Sequence, residues 1–428
     1  MLNPWDVPRL DFPRLSAASL RVALADTPVV LIHGPRQCGK TTLALHVGRE
    51  SDYAYLTFDD DARRAAALAD PVGFVADLPG KVILDEIQRV PSLFTSIKAS
   101  VDRDRRPGRF MLTGSSNVLL LPKLADSLAG RMEILRLHPF AQIEMAAPSC
   151  GSDLAASSTF LKQLYAGQFH PMPAHERRMG SALADMVVAG GYPAALARKT
   201  PARRRAWYRD YIQTLVQRDV RELAQIQSLD ALPRLLTLAA GQTARLINVL
   251  DLAAPFQLSR PTVRDYVNLL AQVFLLEELP PWFGNRLSRL IKTPKLHLTD
   301  TGVACALLGM DAAALWADRA LLGQLLETFV LQELRRLDCA ADVPGQFYHL
   351  RDKDGVEVDI VMVHGNGKLS GIEVKASSTV TAQDFKGLKK LQTSEPDRFH
   401  CGVLVYDGDA CLRFGEGMFA VPVSRLLV

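Results

Sequence analysis

Over the first third of the chain, short apolar β-rich runs alternate with stretches of helical period, the pattern of a doubly wound parallel sheet. Five strands are predicted there: Val29 to His33, Tyr53 to Phe58, Val82 to Leu84, Phe110 to Thr113 and Ile134 to Leu137. From Ala146 to about Met179 the pattern breaks into Ser-, Ala-, Gly- and Pro-containing sequence, an insertion or flexible connection, and helical periodicity returns after Ser181. Between about Trp207 and Gly309 the chain reads as mostly helical, then extended around Phe274 to Leu279 and Lys295 to Thr299. Helices followed by a β pair predict a winged helix. From Leu321 the predicted order is helix, strand, strand, strand, helix, strand: Leu321 to Leu337, Gln346 to Arg351, Val356 to Val363, Leu369 to Lys375, Ala382 to Leu391 and Gly402 to Tyr406. The expected division is therefore an α/β sheet domain over 1–145, an insertion with a helical lid or linker over 146–225, a winged helix over 226–312 and a second α/β domain over 313–428.

A length of 428 residues agrees with about three domains, and 48% apolar with 22% charged residues excludes disordered and fibrous classes. The six cysteines form no CxxC pair, so neither a disulfide framework nor a zinc site is expected. The N-terminus has no cationic start followed by an apolar run, and no window reaches the roughly 18 apolar residues of a membrane span. A cytoplasmic protein without a membrane partner is the expectation. A net charge of +4 permits contact with nucleic acid without arguing for it. The arginine clusters at 103–109 and 198–209 read as solvated surface.

Candidate chemistry starts at residues 34–42, GPRQCGKTT, which match G-x-x-x-x-G-K-[ST] between a β run and a helical run. Polyphosphate needs several backbone N–H groups turned toward one point, which glycines at 34 and 39 permit, at a helix N-terminus that favours negative charge. Gly34, Pro35, Arg36, Gln37, Cys38, Gly39, Lys40, Thr41 and Thr42 are thus the expected ATP cradle, with Lys40 on the β- and γ-phosphates and the Thr41 hydroxyl on Mg²⁺. The run Val82-Ile83-Leu84 ends in Asp85-Glu86, two carboxylates at the C-terminal edge of a strand, where ligands sit in open α/β sheets. Asp85 is expected to support Mg²⁺, and Glu86 to orient and deprotonate the attacking water. Arg131 in LAGR is a candidate to stabilise charge on the transferred phosphoryl, from its own subunit or from a neighbour in a homo-oligomer.

Farther along, Ser259 and Pro261 open a helix whose inner face is Val263, Tyr266, Val267, Leu269 and Leu270. Arg260, Arg264 and Asn268 on its outer face, with Lys292 and Lys295 on the following wing, are candidates for contact with nucleic acid, DNA before RNA. Winged helices also make protein contacts, so both uses stay open. In the last domain, period-two geometry puts Glu373 and Lys375 on one strand face, with Asp359 on the neighbouring strand and Glu327 on the preceding helix. This constellation resembles the PD-(D/E)xK nuclease core, in which Asp359, Glu373 and Glu327 would hold Mg²⁺ and Lys375 would position water or stabilise the developing charge. Glu357 alternates in phase with Asp359 and is a further candidate.

Taken with FDDD at 58–61, LDEIQRVP at 84–91, LTGSS at 112–116, LAGR at 128–131, GGYP at 190–193 and QRDV at 217–220, the motifs resemble, over nearly the full length, a prokaryotic family of AAA-type ATP-binding proteins with a C-terminal domain of unknown function. The resemblance implies a P-loop ATPase core of the AAA+ type, a winged-helix region and a nuclease-like C-terminal domain. It also implies a sensor residue after the fourth strand, for which Asn117, Thr113 and Ser115 are candidates. The expectation is Mg²⁺-dependent ATP hydrolysis coupled to nucleic-acid binding, with cleavage by the last domain left open. The alternative is an ATP-gated regulatory or partner-recruiting switch whose nuclease-like domain is inactive.

Overall fold

The computed structural model describes residues 13–115, 128–146, 158–220, 231–256, 258–282, 293–341 and 343–428. Contacts divide the chain into two compact units, one formed by 1–140, 147–155 and 272–274, the other by 141–146, 156–271 and 275–428.

In the first unit, helix α1 (Ser16–Asp26) leads into strand β1 (Val29–His33), followed by α2 (Lys40–Arg49), β2 (Ala54–Thr57), α3 (Asp61–Ala69), α4 (Pro71–Ala76), β3 (Val82–Asp85), α5 (Leu93–Arg103), β4 (Phe110–Gly114) and β5 (Met132–Arg136). The five strands pair in parallel in the order β2-β3-β4-β1-β5. Parallel strands need crossovers, and helices on both faces bury the sheet twice. Alternation distributes the core accordingly. Val29, Leu31, Leu84, Phe110 and Leu112 pack with Phe94, Ile97 and Val101 of α5, while Val30, Ile32, Ile83 and Met111 pack with Leu20 of α1 and Leu43, Ala44 and Val47 of α2. The FDDD motif supplies a cap: the Asp60 carboxylate accepts from the N–H groups of Ala62 and Arg63 and starts α3. The last strand begins two residues earlier than its apolar pattern predicts, because it pairs with β1 from Met132 onward and leaves Glu133 and Ile134 on an exposed edge.

The second unit carries a helical middle region and a mixed sheet. Its helices include α6 (Ala182–Ala189), α7 (Pro201–Thr214), α8 (Ala231–Gly241), α9 (Val249–Ala253) and α10 (Arg260–Gln272), and the QRDV motif lies on a π-helical stretch, Leu215–Val220, that extends α7. Strands β6 (Arg245–Leu246), β7 (Leu276–Leu279) and β8 (Lys295–Leu298) form an antiparallel sheet in the order β6-β8-β7. Then come α11 (Thr301–Leu307), α12 (Arg319–Asp338), β9 (Gln346–Arg351), β10 (Glu357–Val363), β11 (Leu369–Lys375), α13 (Lys386–Ser394) and β12 (Phe399–Tyr406). Two strands beyond the predicted set, β13 (Leu412–Gly415) and β14 (Met418–Pro422), complete a six-stranded sheet of order β13-β14-β12-β11-β10-β9. In it β11, β12 and β14 run parallel and the others antiparallel to their neighbours. Among the described residues no helix is long and apolar enough to cross a membrane.

A buried ionic network ties α12 to the middle helices. The carboxylate of Asp300 accepts from the N–H groups of Gly302 and Val303 at 2.9 and 3.3 Å, capping α11, and from Gly191 N–H at 2.8 Å. Arg336 lies between Asp300 at 3.2 Å and Glu333 at 2.7 Å, and Glu333 accepts from Gln142 N–H at 2.8 Å. This explains the GGYP motif. A Cβ at Gly190, whose φ is +65°, would lie 2.3 Å from Asp300 Oδ1, so only glycine lets the turn close on the carboxylate. We predict that Asp300→Ala, which leaves Arg336 short of a buried partner, lowers the unfolding free energy by about 3–5 kcal/mol, measured by urea denaturation.

Candidate active site

Strand β1 ends in a loop that has one backbone solution. A Cβ at Gly34 would lie 2.1 Å from the carbonyl oxygen of Leu137, and Leu137 N–H donates to His33 O at 2.8 Å, so the chain turns against Leu137 only as glycine. Gln37 and Gly39 adopt left-handed φ of +59° and +101°, and α2 starts at the next residue, Lys40. Cys38 is fully buried, its Sγ 3.5 Å from Leu137 O, and burial pushes its thiol pKa up. Its side chain packs the loop from inside. Pro35 has no N–H, so it lines the loop without donating.

The Lys40 ammonium, 5% exposed, donates to the carbonyls of Gly34 at 3.0 Å and Pro35 at 2.8 Å. Arg14, unremarked in the sequence pattern, braces the loop from before α1, donating to Cys38 O at 2.8 Å and His138 O at 2.6 Å, with its guanidinium 4.7 Å over the Phe140 ring.

Because β1, β3 and β4 are adjacent and parallel, the ends of β3 and β4 emerge at the same sheet edge as this loop. Thr41 Oγ1 donates to Asp85 Oδ1 at 2.9 Å, and Tyr55 on β2 donates to Asp85 Oδ2 at 2.9 Å. Thr113 also donates to Asp85 Oδ1 and accepts from Glu86 N–H at 3.1 Å, holding both acidic residues from β4. Glu86 adopts a left-handed φ of +57°, a conformation that costs a non-glycine residue about 1–3 kcal/mol and that surrounding contacts must enforce. Its carboxylate accepts from Ser115 Oγ at 3.0 Å and from the Gln88 amide. Burial raises the Asp85 pKa, as does the Glu86 charge, while the bonds from Thr113, Tyr55 and Thr41 oppose the shift. A buried carboxylate facing a threonine hydroxyl, beside a buried ammonium in a glycine-shaped loop, fits a divalent cation and a polyphosphate. Tyr55 and Gln88 are members of the cluster that motif reading did not single out: pairing of β2 with β3 brings Tyr55 beside Asp85, and Gln88 follows Glu86 on the 3₁₀ turn Ile87–Arg89.

Arg131 occupies a different place. It precedes β5, whose first residue Met132 pairs with Val29 at the start of β1, and its Nε lies 2.6 Å from Asp102 at the end of α5. It therefore sits at the sheet edge opposite the glycine loop, which removes a role on a phosphate in its own subunit. Asn117 lies outside the described residues, as does Lys292.

In the second unit the expected residues of the last domain are brought together, with an addition. Lys295, expected on an exposed wing, is 1% exposed. Its Nζ lies 2.7 Å from Glu327 Oε1, 2.6 Å from Glu357 Oε1 and 3.2 Å from Asp359 Oδ1. Asp359 Oδ2 accepts from Val374 N–H at 3.0 Å. Burial, then the charge of Asp359 and the hydrogen bond shared with it, holds the Glu373 pKa well above the carboxylate range, and burial followed by Asp359 does the same for Glu327. Burial alone would lower the Lys295 pKa, but Glu327, Asp359 and Glu357 outweigh it and raise it. Lys375 is paired with Asp384, donating to its Oδ1 at 2.6 Å. Among the described residues no group of three or more His, Cys, Asp or Glu is arranged to hold a metal ion. The cluster in this form does not fit Mg²⁺, which demands oxygen ligands at about 2.1 Å around a position taken here by an ammonium.

On α10, Val263, Tyr266, Val267 and Leu270 are buried, Leu269 is half-buried, and Arg260 and Asn268 are exposed. Arg264 is committed to Glu278 on β7 at 2.8 Å.

Three family models match stretches of the chain. Residues 26–146 match the model of an AAA domain, residues 180–314 a domain of unknown function, DUF8612, and residues 322–426 another, DUF4143. The uncharacterized protein Rv2008c of Mycobacterium tuberculosis is 31% identical over 418 residues, covering 97% of this chain and 84% of its own length; Mb2031c of Mycobacterium bovis matches to the same extent. Among solved structures, the Walker-type ATPase PABY2304 of Pyrococcus abyssi matches 71% of this chain and 99% of its own at 17% identity and a TM-score of 0.42. The RuvB Holliday junction branch migration motor of Thermotoga maritima matches 65% of this chain and 94% of its own at 18% identity and a TM-score of 0.30.

We predict that Arg14→Ala, which strands two loop carbonyls, destabilises the first unit by about 1–3 kcal/mol, and that Arg14→Lys recovers only part of this in thermal unfolding, since one ammonium cannot span both acceptors with the geometry of a guanidinium.

Proposed function

The chain belongs to the family of Rv2008c, an AAA domain followed by two domains of unknown function, and from that premise we propose that it binds Mg-ATP at the glycine loop and hydrolyses it. The observation that carries the reading is the convergence of Lys40, Thr41, Asp85 and Glu86 at one sheet edge. The N–H groups of residues 36–41 would hold the phosphates together with the Lys40 ammonium, which gives up its carbonyl contacts to do so. Thr41 and Asp85 would hold Mg²⁺, which supplies charge neutralisation on the phosphates when bound. Glu86 would orient a water and accept its proton. Thr113 and Ser115 would set the carboxylates that do this, the sensor role that sequence left among three residues. Arg131 would reach a phosphate only across an interface between subunits.

For the second unit, we propose a winged helix and a PD-(D/E)xK-like fold that bind rather than cut. The order helix, strand, helix, helix, strand, strand over residues 231–298, with its β6-β8-β7 sheet, supports the winged helix. The order helix, three strands, helix, strand over residues 319–406, with β11 and β12 parallel, supports the second fold. Nucleic acid, DNA before RNA, is the partner proposed for α10 through Arg260 and Asn268. A partner-recruiting switch gated by ATP is the second reading, favoured by the burial of Lys295 and the pairing of Arg264 with Glu278, which withdraw two of the basic groups expected to meet phosphates.

Lys40→Ala is expected to weaken ATP binding by at least about tenfold, and Glu86→Gln to bind ATP normally while turnover falls by about a hundred- to ten-thousandfold. Fluorescent nucleotide titration and phosphate release separate the two, and normal turnover in both variants refutes the site. Duplex DNA is expected to raise ATP turnover in a salt-sensitive manner that Arg260→Ala weakens; unchanged turnover together with no mobility shift leaves only the partner-recruiting reading.

A further inference from the structure

The ammonium of Lys295 meets three carboxylates, and it is delivered by the central strand of a sheet. Lys295 pairs with Leu246 of β6 on one side and Leu279 of β7 on the other, so the side chain starts from a backbone fixed on both edges. The ammonium donates to Glu327 Oε1 at 2.7 Å and Asp359 Oδ1 at 3.2 Å, and Glu357 Oε1 lies 2.6 Å away as a third ion-pair partner. Lys295 is almost fully buried and its three partners are largely so, and removing either side would leave the other charge desolvated without a partner. A divalent cation entering among the same oxygens would face a positive charge within bonding distance, and since the backbone of Lys295 is paired on both edges, only a turn of its side chain out of the cluster would remove that charge.

We propose that Lys295 is the resident cation of this carboxylate cluster, standing where a nuclease of the same fold would hold a metal ion, and that a divalent-cation site is latent beneath it. The proposal rests on the nuclease-like reading only for what the cluster would otherwise hold; the contacts themselves stand without it. Two consequences follow. The last domain does no metal-dependent cleavage at Asp359 while the Lys295 ammonium holds this position, and the ammonium joins the middle sheet to α12 and β10 by charge.

The test uses the full chain, without nucleotide, titrated with Mn²⁺ alone and followed by the electron paramagnetic resonance signal of the free ion. Wild type and Glu357→Gln, the most exposed of the three partners, are expected to take up the same amount of Mn²⁺. Lys295→Ala is expected to gain about one Mn²⁺ per chain, since three or four carboxylate groups make a hard-cation site, and Lys295→Ala/Asp359→Asn to lose that gain. Folded Lys295→Ala that gains no Mn²⁺ overturns the latent site. Wild-type uptake that Glu357→Gln abolishes overturns the resident role of Lys295. Should Lys295→Ala fail to fold, the wild-type and Glu357→Gln comparison decides alone, equal uptake supporting the proposal. Because the readout needs no nucleic acid, a failure of DNA binding leaves it unaffected.

Discussion

The contact of Thr41 with Asp85 is the constraint on which the first unit depends. It joins the start of α2 to the tip of β3, two segments separated in sequence and made neighbours by a parallel sheet in which β3 and β1 flank β4. Parallel pairing puts every strand's C-terminal end at one edge, so a loop after β1 and an acidic pair after β3 meet without further design. Thr113 then works in both directions, donating to Asp85 and accepting from Glu86, and so fixes the unusual backbone of Glu86. Strain at that residue is held by a hydroxyl from the neighbouring strand. Arg14 adds a brace from outside the sheet.

The second unit is organised by buried charge of a different kind. Asp300, Arg336 and Glu333 form one closed set, and Lys295 with Glu327, Glu357 and Asp359 another. Both connect the helical middle region to α12, within the compact unit that also holds the C-terminal sheet. On the proposed nuclease-like reading, an ammonium in place of a metal would keep the packing of the carboxylate cluster while removing the Lewis acid that phosphodiester cleavage of this type requires.

What could be read from sequence is what lies close together along the chain. The glycine loop is contiguous and sits between a β run and a helical run, so its place was legible, as was that of Asp85 and Glu86 at the end of an apolar strand. The alternation of Glu373 and Lys375 was legible too, but where Lys375 would turn was not, because Asp384 competes for it from a later 3₁₀ turn. Long-range partners left no trace. Arg14 reaches carbonyls 24 and 124 residues away, and Lys295 reaches carboxylates 32 and 64 residues away. Arg131 shows the complementary failure: a motif names a residue type, and only strand direction says which edge of the sheet it occupies. The strands β13 and β14 were missed because each is short and ends near glycine or proline, where a local pattern carries little period.

The most direct measurement of the central claim is a crystal structure of the chain grown with Mg²⁺ and a non-hydrolysable ATP analogue. The account predicts the triphosphate against the N–H groups that open α2, with Lys40 turned from its carbonyls onto phosphate oxygens and the metal between Thr41 and Asp85. Nucleotide bound elsewhere, or a loop around Lys40 left without ligand at saturating analogue, would contradict it.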